Sequence, residues 1–222
     1  MEYRVDPIWR GETCVILGGG PSLLKQSLDP LWNTSPKPRI LTINDSWRLA
    51  PDNAIHYFAD QEWWDRQIAR NYIAVNHLGT HYRFHNMIYE GFWVSTAPAF
   101  AAHPQVRYLR LTGEQGLETD PTGLRHGSNS GYQAIGLAYH LGVKKIVLLG
   151  YDMRVDRDRT HWHDESTIPA QGFEMMLKKS FLPHFDTLAR PLADAGVTVI
   201  NATENSALRV WPFQPLATAL GH

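Results

Sequence analysis

The sequence predicts an α/β fold: a mostly parallel sheet with helices on both faces. Three observations point there. Mostly continuous apolar runs recur at residues 13–17, 40–43, 146–149 and 197–200, and runs without polar alternation mark strands buried on both faces. Helical patterns fall between them, which suits a layered α/β chain. The runs end in glycines or short polar residues, as strand ends that form a ligand-binding rim do. At 222 residues, 43% of them hydrophobic, the chain has material for a substantial core. It reads as a single α/β domain over 1–222 with a core at about 13–208, without repeats, low-complexity tracts or a convincing linker.

In order along the chain, residues 13–17 form a short buried strand stopped by Gly18-Gly19-Gly20-Pro21-Ser22. Ser22 is placed to cap a short helix over 23–28. A second strand, 40–43, ends at Asn44-Asp45-Ser46. Pro51-Asp52-Asn53 makes a turn, and a third strand, 54–59, ends at Asp60. Residues 61–70 begin a helix, and 73–75 form a weak fourth strand. The stretch 76–100 shows little periodicity. Residues 106–111 are strand-like, and the glycine-rich 112–127 reads as a mobile loop. A helix over 132–141 is stopped by Gly142, and the strand 146–149 leads to Gly150-Tyr151-Asp152; together these make the back half of a βαβ unit. After a polar loop at 153–170, a long helix spans 171–195, interrupted near Pro183 or Pro191, and Gly196 precedes the last strand.

Composition excludes several classes. With 21 Lys+Arg against 22 Asp+Glu the net charge is -1, which argues against a nucleic-acid groove. The single cysteine, Cys14, lies in an apolar run and reads as a buried strand residue; it forms no internal disulfide or cysteine metal cluster. The start resembles no signal peptide, and no stretch approaches the roughly 18 apolar residues of a membrane span. The expectation is a cytoplasmic protein. Among the eight tryptophans, Trp63-Trp64, Trp93 and Trp162 stand in polar or loop-like surroundings. They either wall a planar ligand or pack large loops. Such aromatic-rich loops also leave a homo-oligomer open.

Chemistry is expected where the strand ends gather. The run Gly18-Gly19-Gly20-Pro21-Ser22 lets backbone amides approach an anion ahead of a helix N-terminus, although a simple tight turn would need the same glycines. It matches neither of the common phosphate-loop or dinucleotide patterns. Gly127-Ser128-Asn129-Ser130-Gly131 is a second candidate cradle, with capping by its serines as the alternative. Asn44 offers a donor and an acceptor. Asp60 and Asp152 suit a hydroxyl, an amino edge or a divalent cation, or else cap helices. In the loop beyond, His161 and His163 are candidate general bases, with Asp164 or Glu165 as orienting partner, and Arg154, Arg157 and Arg159 are candidate phosphate partners.

These marks resemble one superfamily. It joins the family 42 bacterial sialyltransferases, the flagellin-modifying motility accessory factors and the archaeal 6-hydroxymethylpterin pyrophosphokinase-like proteins. The likeness rests on Leu17-Gly18-Gly19-Gly20-Pro21-Ser22-Leu23, Thr42-Ile43-Asn44-Asp45, Asp52 through Asp60, Asn129-Ser130-Gly131, Gly150-Tyr151-Asp152 and Asn205-Ser206-Ala207-Leu208. It implies a modified Rossmann-like domain binding a nucleotide or nucleotide sugar. It places nucleotide contacts at Gly18 to Ser22, Asn44 and Ser128 to Gly131, and a general base at His161 or His163. Tyr151 lies near a position where those enzymes assist the leaving phosphate. The pyrophosphokinase-like members use ATP and magnesium, which would draw on Asp60 and Asp152. The expected activity is transfer from a nucleotide-activated donor to a hydroxyl, with His161, His163 and Asp152 as candidate catalytic residues. The alternatives are magnesium-dependent diphosphate transfer from ATP and a nucleotide-binding module without chemistry. The loops at 76–126 and 153–170 are this chain's own.

Overall fold

A computed structural model describes residues 3–52, 54–90, 92–163 and 168–221. Asn53 of the predicted turn and the candidates Asp164 and Glu165 lie outside them. In chain order the elements are β1 (Thr13–Leu17), α1 (Asp29–Asn33), β2 (Arg39–Ile43), β3 (Ala54–Phe58), α2 (Gln61–Arg70), β4 (Ile73–Val75) and β5 (His81–Arg83). There follow α3 (Phe84–Glu90), β6 (Phe92–Ser95), β7 (Val106–Tyr108), β8 (Arg110–Gly113), β9 (Gly123–Arg125), α4 (Ser130–His140) and β10 (Lys145–Leu149). The chain closes with α5 (Ala170–Met176), α6 (Leu182–Asp194), β11 (Thr198–Asn201) and α7 (Leu216–Leu220).

The central sheet has seven strands in the order β11-β10-β1-β2-β3-β6-β7, and every pairing is parallel. This is the predicted α/β, Rossmann-like architecture. Alternate residues of each strand enter different cores. Cys14 and Ile16 of β1, with Ile146 and Leu148 of β10, pack against α4 and α6 through Ile135, Leu137, Phe185 and Leu188. Val15, Leu17, Val147 and Leu149 pack on the other face with Leu31, Leu216 and Ala219. Both faces being covered explains the unbroken apolar runs.

A third core gathers Trp47, Phe58, Trp63, Trp64, Phe84, Trp93 and Phe100 beside β3 and β6. Trp64 and Trp93 are therefore packing residues, not a ligand wall. Trp162 lies under Arg48, whose guanidinium carbon is 4.7 Å from its ring centroid.

Several sequence expectations need correction. No α-helix covers 23–28: a 3-10 turn, Pro21–Leu24, is followed by α1, because Ser22 turns its hydroxyl to Asp152 instead of capping. β4 exists but pairs antiparallel with β5, outside the central sheet. The stretch 76–100 holds α3 and β6, a strand of the central sheet buried at Trp93, Val94 and Ser95; its four-residue run is too short to stand out among the scattered aromatics around it. The strand 106–111 divides at the fully buried Leu109, and its second half pairs with β9 within the predicted loop. The long helix is interrupted next to Pro183, as expected: a π-helical segment, Leu177–Phe181, joins α5 to α6 just before that proline, while Pro191 lies inside α6. Among the described residues no helix is long and apolar enough to cross a membrane.

Candidate functional site

The strand ends singled out in the sequence meet at one cavity of about 370 Å³. β1 neighbours β2 on one side and β10 on the other, so the strand order reverses beside it, and open parallel sheets bind ligands at such a switch point. Gly18, Gly19 and Gly20 after β1, Asn44 and Asp45 after β2, Asp60 after β3, and Tyr151 and Asp152 after β10 all line the cavity. Ser128, Asn129, Ser130 and Gly131 line it from the start of α4, and His161 and His163 from the following loop. Pro21 and Ser22 do not.

The glycine turn is less open to an anion than its sequence implies. The Gly18 amide donates to Leu149 O at 2.7 Å and the Gly20 amide to Gly150 O at 2.8 Å. The Ser22 amide and hydroxyl both donate to the Asp152 carboxylate, at 3.0 and 2.7 Å. Among the three glycine amides, Gly19 alone has no backbone acceptor among the described residues. The glycines serve close approach: a Cβ on Gly18 would stand 2.6 Å from the Gly150 oxygen, and one on Gly20 would overlap the Asp152 carboxylate. Asp152 is thus tied to the turn through both of its oxygens. Burial raises its carboxyl above the ordinary value, opposed by the Ser22 hydrogen bonds and the charge of Arg154.

At α4 the cap is Asn129, not a serine. Its Oδ1 accepts from the Tyr132 amide at 2.8 Å and its Nδ2 donates to Gly127 O at 2.8 Å. This leaves the Ser130 and Gly131 amides of the first turn aimed along the helix axis, at its positive end. Tyr151 is buried and donates its hydroxyl to Gly131 O at 3.0 Å, while burial lifts its pKa well above the ordinary value. It supports α4 and does not match the expected leaving-group role. Asp60 holds the N-cap position of α2 without a capping hydrogen bond and is exposed at the cavity.

The two histidines differ. His163 Nε2 lies 3.5 Å from Asp45 Oδ2. Asp45 is itself buried and fixed by Trp63 Nε1 at 2.8 Å and Gln67 Nε2 at 3.1 Å. His161 has Thr160 Oγ1 2.9 Å from its Nδ1; burial, with His163 adding to it, pushes its pKa down to about 4. Among the described residues the carboxylate brought to His163 is Asp45, which the sequence places at a strand end without joining it to a histidine.

Two polar atoms at the cavity lack partners. Asn44 Oδ1 and Arg154 Nε are buried without a hydrogen bond among the described residues. Leaving such a group unpaired costs roughly 1–3 kcal/mol, so a ligand that donates to Asn44 and accepts from Arg154 recovers that cost. Arg157 and Arg159 do not line the cavity, whereas Arg66, missed in the sequence, does. Opposite in character is the apolar side, formed by Ile168, Phe173, Leu177 and Phe181. The four-residue spacing of Phe173, Leu177 and Phe181 along the predicted helix was a visible signal.

No group of three His, Cys, Asp or Glu side chains able to hold a metal occurs among the described residues. With both Asp152 oxygens accepting from Ser22, Asp60 is the remaining carboxylate of the predicted pair. Comparison of the chain with protein families, with curated proteins and with solved structures gave no match.

Proposed function

We propose that this chain is a transferase that binds a nucleotide-activated donor in the cavity and passes the activated group, a sugar, to a hydroxyl acceptor. One observation carries the reading: a carboxylate-paired histidine shares a cavity with two unpartnered buried polar atoms and the N-terminus of α4. The Ser130 and Gly131 amides and the Arg154 guanidinium are the groups suited to the donor phosphates. Asn44 suits a donor hydroxyl or amino group.

In the reaction the acceptor O–H gives its proton to His163. The oxygen forms a bond to the sugar carbon as the bond from that carbon to the phosphate oxygen breaks. The nucleotide leaves with the electron pair, and α4 and Arg154 offset its charge. Asp45 stabilises the imidazolium until the proton passes to solvent. His163 is preferred over His161 because a ring with a pKa of about 4 is a weak base near neutral pH.

Calorimetry with cytidine and uridine sugar nucleotides and with ATP, with and without magnesium, tests the reading, followed by mass spectrometry of acceptor mixtures. The expected result is binding of a sugar nucleotide. His163→Ala should keep that binding and lose transfer by roughly 10²–10⁴-fold. Magnesium-dependent ATP binding with AMP release would replace sugar transfer by diphosphate transfer. Binding to none of these ligands would refute the transferase reading.

A further inference from the structure

Four rings that line the cavity follow one another in space. Phe181 meets Phe173 edge-on with centroids 6.3 Å apart, Phe173 lies 5.0 Å from His161, and His161 lies 5.2 Å from His163. The row begins at the Asp45-paired histidine and ends on the π-helical segment. Leu177 lines the cavity between the two phenylalanines, and Ile168 stands nearby at the rim, 43% exposed. None of the side chains beyond His161 carries a charge. His161 itself is neutral at neutral pH, since burial depresses its basicity.

The helix geometry favours this row. Phe173, Leu177 and Phe181 are spaced by four. On a regular α-helix each such step turns the side chain by about 40°, so the third would point about 80° away from the first. The wider turn over Leu177–Phe181 unwinds the helix locally, and all three side chains reach the same cavity.

We infer that this row is the acceptor subsite, and that it takes a hydroxyl compound bearing a flat, uncharged aromatic group. The inference rests on the transferase reading, because His163 as proton acceptor fixes where the reacting hydroxyl sits. The rest of the acceptor then extends along His161, Phe173 and Phe181. The groups suited to phosphate are polar and come from other elements: α4 and Arg154. A charged acceptor would lose hydration against the apolar row with nothing to replace it. An aromatic one gains offset or edge-on ring contacts.

The test compares phenyl β-glucoside with methyl β-glucoside, which share a sugar and differ in the ring. Binding to the full chain is read by ligand-observed NMR titration without nucleotide. The phenyl compound should bind about tenfold more tightly. Phe181→Ala should erase most of that advantage and leave methyl glucoside binding and sugar-nucleotide binding unchanged. Phe181→Leu, which keeps an apolar side chain and guards against a folding defect, should retain part of it. Equal binding of the two glucosides, or a phenyl advantage indifferent to both variants, overturns the subsite. A phenyl advantage that depends on Phe181, in a chain that binds no nucleotide or sugar nucleotide, would uphold the aromatic site and sink the transferase reading instead.

Discussion

Replacing Asp45 by Asn should destabilise the protein by about 2–3 kcal/mol, because the buried network around it has a fixed polarity. Trp47 Nε1 donates to Gln67 Oε1 at 3.1 Å, Gln67 Nε2 donates to Asp45 Oδ1 at 3.1 Å, and Trp63 Nε1 donates to Asp45 Oδ2 at 2.8 Å. Every donor points toward the carboxylate. Gln67 cannot turn its amide without losing Trp47. An Asn at 45 presents one oxygen and one NH2, so whichever way it sits, a donor faces Trp63 or Gln67. One charge-assisted bond is lost, at roughly 1.5–3 kcal/mol, and a buried donor is stranded. Asp45 is 5% exposed, so water offers little relief.

Urea unfolding followed by tryptophan fluorescence measures this directly. Against a total stability of roughly 5–15 kcal/mol, the midpoint should fall by about 1 M at unchanged slope. Asp60→Asn, at an exposed position without a capping bond, should stay within about 0.5 kcal/mol of the parent. Pairing Asp45→Asn with Gln67→Glu moves the carboxylate one step along the network. The new Glu accepts from Trp47 and from the Asn amide, while the Asn oxygen still accepts from Trp63. That double variant should recover at least half of the lost stability without recovering transfer, since His163 has lost its carboxylate. An Asp45→Asn variant that unfolds within about 0.5 kcal/mol of the parent at the same slope would refute the fixed polarity of this network.

Two further outcomes follow from the packing. Gly20→Ala drives a Cβ into the Asp152 carboxylate and to 2.6 Å from the Gly150 oxygen, and should cost about 2–3 kcal/mol. Gly172→Ala, in α5 with nothing within 4 Å, should instead stabilise by about 0.5–1 kcal/mol; thermal melts of both variants check the pair. His56, whose Nδ1 lies 2.7 Å from Thr42 Oγ1, is held neutral by burial with its pKa lowered from 6.5 to about 3. Its folded pKa lies below its unfolded one, so the unfolded chain binds the proton first as pH falls. Full stability is therefore present above pH 6.5 and declines toward pH 3, by ~2 kcal/mol at pH 5 from this residue alone. Urea titrations across that range showing flat stability would contradict the assignment.

The strands of the sheet centre were legible because burial on both faces leaves an apolar run that needs no periodicity, as in β1 and β10. β6 was not legible, since its apolar run, Phe92-Trp93-Val94, is only three residues long and sits among aromatics scattered between His and Asn. The rim was legible for the same reason as the strands: Gly18, Asn44, Asp60 and Gly150 stand where the apolar runs stop. Pairings across that rim were not. Asp45 meets His163, and Ser22 meets Asp152, through contacts between segments remote in sequence, set only when β1, β2 and β10 align in register. The expectation of a serine cap at α4 failed on a local competition that Asn129 wins, by accepting from Tyr132 and donating to Gly127 at once.

The corrected glycine turn changes what the first loop contributes. Its amides at Gly18, Gly20 and Ser22 already have acceptors, the last of them a carboxylate. An incoming phosphate competing there would meet the Asp152 charge, so the phosphate is better matched to α4 and Arg154. What the turn does instead is hold the histidine loop. The Trp162 amide, between the two histidines, donates to Gly19 O at 3.0 Å, and a Cβ on Gly19 would press to 3.0 Å from the His161 ring. Arg48 covers the Trp162 ring, and Trp162 Nε1 reaches Ser46 Oγ at 3.3 Å. The residue after Gly18 therefore sets the position of the rings that approach the reacting hydroxyl. A side chain at position 19 would displace His161 and His163 together while leaving Asn129, Ser130 and Arg154 in place. Loss of transfer with retention of sugar-nucleotide binding in Gly19→Ala is the signature of that division of labour, and parallel loss of both would place the glycine turn back among the phosphate-binding groups.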